Sequence, residues 1–100
     1  MKLLTFTPTR VGVKAELYQG MITVEIYPEY QTAKGRESVY GWWQIAIGMR
    51  YWSRDKWYEG RGEYFPPNGL EAAKTRAEEI VQSMVKQLMK KLELVEGEKG

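Results

Sequence analysis

The chain has 100 residues, a net charge of +2, and neither histidine nor cysteine. One domain with a modest core is what that length supports. The two missing residue types remove disulfides, thiolate chemistry, histidine general bases and nearly all zinc sites. Asp55 is the only aspartate, so an all-oxygen metal centre has few ligands to draw on. We therefore expect no enzyme, no cofactor and no metal. No run approaches the ~20 apolar residues of a membrane span, and MKLLTFTPTR lacks the apolar core of a signal peptide. The expected setting is intracellular, in the cytoplasm.

Residues 2–8 favour β-structure and end at Pro8, which an edge strand tolerates. Residues 11–18 alternate: Val11, Val13, Ala15 and Leu17 on one side, Gly12, Lys14, Glu16 and Tyr18 on the other. Gln19-Gly20 predicts a hairpin turn, and residues 21–27 resume with Ile22, Val24 and Ile26 as the apolar row. Residues 31–38 are polar and aperiodic and read as a loop, with Lys34 and Arg36 as further cations. Residues 39–52 read as a long strand, with Trp43, Ile45, Ile47 and Met49 facing the core and Tyr40, Trp42, Gln44 and Ala46 opposite. Ser53-Arg54-Asp55-Lys56 reads as a polar turn, and Trp57 to Phe65 as the return strand, loosened by Gly60 and Gly62.

Pro66-Pro67 closes the sheet. Asn68 is the expected helix N-cap, with Glu71 three residues on in capping-box position. From there to about Lys91 an apolar stripe runs through Leu70, Ala73, Ala77, Ile80, Met84, Leu88 and Leu92, widened by Val81 and Val85. Acids early and lysines late suit the helix dipole. Glu78 and Glu79 read as a solvated helix face, and Glu63 as a partner of Arg61 or a neighbouring-strand cation. The expected fold is α+β: an antiparallel sheet of four to five strands packed on one face by a single long C-terminal helix. Residues 1–95 form the domain and 96–100 a disordered tail.

Between Tyr40 and Phe65 lie all four tryptophans, four of the seven tyrosines, and Arg50, Arg54, Lys56 and Arg61. Rings interleaved with cations suit a single nucleic-acid strand, whose bases stack while its phosphates are neutralised. Trp42, Arg50, Trp52, Arg54, Lys56, Trp57 and Arg61 are the candidate binding residues. If Tyr58 and Tyr64 face the helix, Trp57, Arg61 and Phe65 join the outer face. The leading expectation is a non-catalytic nucleic-acid-binding domain, for single-stranded or duplex targets. The alternative is a small protein-interaction or inhibitor module, viral or mobile-element encoded, using the same surface, because Trp, Tyr and Arg also dominate protein hot spots. A homodimer joined at the uncovered face or a free edge is expected in either case.

Gly41-Trp42-Trp43-Gln44-Ile45, then Gly62-Glu63-Tyr64-Phe65, then Leu70-Glu71-Ala72-Ala73 give residues 41–80 a layout that resembles the three-strand-plus-helix DNA-binding domains of phage and transposon integrases and of plant transcription factors. That resemblance implies a sheet that reads duplex DNA. The order of strands followed by one helix is also similar to the Pur-alpha-like single-strand binders, which work as dimers.

Overall fold

The computed structural model describes residues 2–30, 37–51, 54–59 and 63–99, with side chains at 2–30, 38–48 and 63–90. Its elements in chain order are β1 (Thr7–Pro8), β2 (Val13–Leu17), β3 (Ile22–Pro28), a 3-10 turn (Glu37–Val39), β4 (Trp43–Tyr51), β5 (Arg54–Glu59) and α1 (Leu70–Lys99). The strands form one antiparallel sheet in sequential order, β1-β2-β3-β4-β5. This is the expected α+β architecture. Among the described residues no helix is long and apolar enough to cross a membrane.

Register follows from the period-two apolar rows. Val13, Ala15 and Leu17 stand opposite Ile26, Val24 and Ile22, which in turn stand opposite Ile45, Ile47 and Met49. A one-residue slip would throw the whole row to the wrong face, so the pairing is tightly specified. Ile22, Val24, Ile26 and Ile47 are fully buried. Ala73, Ala77, Ile80 and Val81 of α1 close over them, with Leu70, Met84 and Val85 packed at the margin. From Leu70 to Val85 the expected stripe on the helix is thus the observed one, and the side chain of Leu92 lies outside the described set. Each buried branched aliphatic contributes about 1.5–3 kcal/mol.

Several local expectations are corrected. Val11 is exposed and precedes β2, in a reversal closed by the Thr9 amide donating to the Gly12 carbonyl at 2.8 Å. Tyr40 is not in the long strand. It sits in a turn in which the Trp42 amide donates to the Val39 carbonyl at 2.9 Å and Gly41 takes φ 80°. The Glu29 carbonyl accepts from Gly41 while the Glu29 amide donates to Trp42, so two residues oppose one, as at a glycine bulge. β4 therefore starts at Trp43. At the other end Tyr51 pairs with Arg54. Residues 54–56, expected in a turn, belong to β5, because the reversal is shorter than the polar run suggested.

Phe65 also departs from its expected place. It bridges Trp43 through amide and carbonyl bonds of 3.0 and 2.7 Å and packs on the core. Tyr58 pairs with Ile47 on that same helix side. Positions 58 and 65 have opposite parity, so the alternation changes phase between β5 and Phe65. The intervening residues 60–62 lie outside the described set.

The helix start differs by one residue. The Gly69 amide donates to the Pro66 carbonyl at 2.7 Å, a β-turn with Pro67 and Asn68 at its centre. The Gly69 carbonyl then accepts the first helical bond, from Ala73 at 3.0 Å. Gly69, not Asn68, is the N-cap. The Pro66-Pro67 pair forces the chain into the turn, and its exit favours glycine: a Cβ there would stand 3.0 Å from Pro66 Cδ and 3.1 Å from its carbonyl oxygen, so the turn would have to give slightly. Glu71 closes no capping box. It pairs with Lys74 at 3.2 Å. The Trp43 indole N–H donates to the Pro67 carbonyl at 3.1 Å, fixing this turn on the sheet.

Two carboxylates, one on the helix and one off it, tie distant segments to α1. Glu78 accepts from the Leu3 amide at 3.0 Å and the Leu4 amide at 2.9 Å, and Leu4 is buried. Glu78 is therefore not a solvated helix acid: it holds the N-terminal segment down. Burial pushes its carboxyl up, but the amides of Leu4 and Leu3, the Gln82 side chain and the Lys2 charge together bring it below the ordinary value. Glu63 meets Arg76 through two contacts of 2.9 and 3.1 Å, a forked pair joining the end of the sheet to the helix. Among the described residues the partner is a helix cation; Arg61 lies outside them. Arg76's hydrogen bonds hold the Glu63 carboxyl low against the opposing effect of its partial burial.

Three outcomes are expected. Ile80→Ala should cost about 2–5 kcal/mol in chemical denaturation, since Ile80 is buried under the sheet. Asn68→Ala should change stability by less than about 0.5 kcal/mol, whereas Gly69→Ala should cost at least about 1 kcal/mol. Equal effects at 68 and 69 would sink the cap assignment. Glu78→Gln should cost about 1–2 kcal/mol at neutral pH. Because the folded carboxyl is lowered, its contribution is full above the ordinary value of 4.5 and is lost as pH falls through the folded value. The gap between wild type and Glu78→Gln should therefore close in acid, and a gap independent of pH from 7 to 3 would refute the carboxylate's role.

Candidate sheet-face site

α1 contacts β3 and β4 and covers the face carrying the isoleucine row. The other face carries the alternate residues. On β2 these are Lys14 and Glu16, on β3 Thr23, Glu25 and Tyr27, and on β4 Gln44, Ala46 and Gly48. Cross-strand pairs Lys14–Glu25, Tyr27–Gln44 and Glu25–Ala46 are set by the register. Lys14 also bonds Glu16 at 3.4 Å. Small side chains occupy the middle of β4. Ala46 and Gly48 are buried although they lie on this outer face, so β4 forms the floor of a trough between the neighbouring rows.

The Thr9–Gly12 reversal folds over one end of that trough. Thr9 Oγ1 accepts from the Gly12 amide at 2.9 Å, and Gly12 packs so closely on the Ile26 carbonyl that no Cβ fits there. Thr9, Arg10 and Val11 thereby wall a groove of about 490 Å³ with Glu25, Tyr27 and Ala46. At the bulge, Glu29 is buried, and Tyr64 donates its hydroxyl to Glu29 Oε2 at 3.4 Å. Beside it, Tyr30 and Tyr40 meet edge to face with ring centroids 5.9 Å apart, both more than half exposed. Among the described residues no group of three or more acidic side chains is gathered as a metal site would need.

The sequence-predicted binding residues divide. Trp42 is half-buried at the bulge, one residue before β4. The register places Arg50 opposite Asp55 and Trp57 opposite Gly48, both in line with Ala46 on the outer face. It places Lys56 opposite Met49 and Arg54 opposite Tyr51, in line with Ile47 on the helix side. Trp52 and Arg61, and the loop cations Lys34 and Arg36, lie outside the described residues. So Arg50 and Trp57 share a face, and Arg54 and Lys56 do not share it. The groove formed by Thr9, Arg10 and Val11 escaped sequence reasoning. The Thr-x-x-Gly spacing of the reversal was its only signal, and the apparent alternation from Val11 onward hid it.

Gly12→Ala should destabilise the protein by more than about 2 kcal/mol or displace the reversal, since the added methyl meets backbone that cannot rotate away. Denaturation together with the amide shifts of Thr9 and Ile26 would measure both effects, and a silent substitution would show that the reversal does not pack as described. No family model, curated protein or solved structure matches the chain.

Proposed function

We propose that this domain is a non-catalytic docking module that binds a partner protein along the outer face of its sheet. The charge inventory of that face carries the reading. Among the described residues its register positions hold two cations, Lys14 and Arg50, and the groove wall adds Arg10, against four carboxylates, Glu16, Glu25, Asp55 and Glu59. Lys14 is committed to Glu16, and Arg50 stands opposite Asp55. A phosphate backbone needs a cationic track, and the described part of this face carries no cationic surplus. It offers Tyr27 and Trp42 beside a trough with a small-residue floor, which suits an extended peptide segment or loop bearing basic and aromatic side chains.

Nucleic-acid binding is the second reading. The shared face of Arg50 and Trp57 favours it, because a ring and a cation in line are the start of a stacking platform.

One pair of measurements separates the two. Peptide display against the folded wild type should enrich basic, aromatic sequences, and Tyr27→Ala with Glu25→Lys should lower their affinity at least about tenfold. Fluorescently labelled 20-nucleotide single and double strands should show no binding at low salt. Oligonucleotide binding that falls steeply with salt would replace the proposal with the second reading. Peptides that bind the wild type and the double variant equally would remove the sheet face as the docking surface.

A further inference from the structure

α1 is longer than the sheet beneath it requires. It has 30 residues, about 45 Å at 1.5 Å per residue. Its buried positions end at Val81, Met84, Val85 and Leu88 are half-buried, and Met89 is 58% exposed. The apolar spacing nonetheless continues in the same phase through Leu88, Leu92 and Val95. A three- or four-residue rhythm of this kind keeps one side of a helix apolar whether or not the parent fold covers it. Beside this stretch runs a groove of about 610 Å³. Leu3, Val85 and Met89 supply its apolar lining, and Gln82, Ser83 and Lys86 its polar border.

The charges identify the occupant. Lys86, Lys90 and Lys91 form a basic block, and Glu93, Glu96 and Glu98 an acidic block directly after it. Acids in the last turns oppose the helix dipole, which favours cations there, so intrahelical stability does not account for them. Two parallel copies would set lysines against lysines and glutamates against glutamates. Two antiparallel copies, crossing near Leu92, would set each basic block against the other's acidic block and face the two apolar stripes together. We propose that the C-terminal half of α1 docks antiparallel on the same segment of a second copy, with Val85, Leu88, Met89 and Leu92 at its seam. The seam lies on the helix, distinct from the outer sheet face, and stands whether or not that face binds a partner.

Sedimentation equilibrium of the full chain at 1–100 μM (about the range where such seams report) tests this. The wild type should dimerise, and Met89→Glu should render it monomeric with the unfolding midpoint of wild type diluted to monomer, since Met89 is exposed within one copy. The charge-reversed chains K86E/K90E/K91E and E93K/E96K/E98K should each dimerise at least about tenfold more weakly than wild type, and their equimolar mixture should recover dimer as a heteropair. A wild type that stays monomeric throughout overturns the proposal. So does a dimer unaffected by both charge reversals, or one abolished by Trp42→Ala and retained by Met89→Glu, which would put the seam on the sheet face. Two singly reversed chains that fail to pair with one another would overturn the antiparallel arrangement.

Discussion

The structure depends on the contact between the isoleucine row of β3 and β4 and the small-residue face of α1. Ile22, Ile26, Ile45 and Ile47 present branched side chains from a pleated surface. Ala73 and Ala77, fully buried, let the helix axis approach closely enough for those side chains to fill the gap. Larger residues at 73 and 77 would lift the helix and open voids around Ile80 and Val81. The remaining tertiary bonds act at the rim of this contact. Trp43 to Pro67 sets where the helix begins, Glu63 with Arg76 ties the end of the sheet to its first half, and Glu78 closes the N-terminal segment over its side.

Covering one face of a single sheet leaves the other to be solvated or used. Here the outer face is short of bulky apolar side chains along β4, where Ala46 and Gly48 stand, and short of uncommitted cations along β2. Those two shortages steer the reading away from a phosphate track and toward shape. The Thr9–Gly12 reversal adds a wall, so the face is a channel with one closed end.

Period-two and period-four patterns made most of the architecture legible. The β2–β3 hairpin, the core row of β4 and the helix stripe all appear in the spacing of apolar residues, because burial imposes that spacing directly. What escaped was decided by single backbone bonds. Asn68 carries the better capping side chain, yet Pro66-Pro67 sets up a turn whose exit is Gly69. Tyr40 fits a strand by type, yet Gly41 at φ 80° breaks the strand one residue later. Glu78 looks like any exposed helix acid, and nothing local announces that two amides from residues 3 and 4 will find it. Of the candidate site, register separates Arg54 and Lys56 from Arg50 and Trp57 because the reversal after Tyr51 is tighter than the polar run implies. Sequence composition had grouped them only by proximity along the chain.

The Glu78 contacts join residues 74 and 75 positions apart. Closing so long a loop carries a large entropic cost until the intervening chain is itself organised. The consequence is temporal. On a ribosome the N-terminal segment emerges first, but its anchor is made only after α1 has been synthesised and has docked. Until then Leu3 and Leu4 lack the acceptor for their amides, and the β1 edge of the sheet has no tether. Residues 3 and 4 are made well before the carboxylate that secures them. A chaperone or a protease would meet that segment in the interval before the helix arrives.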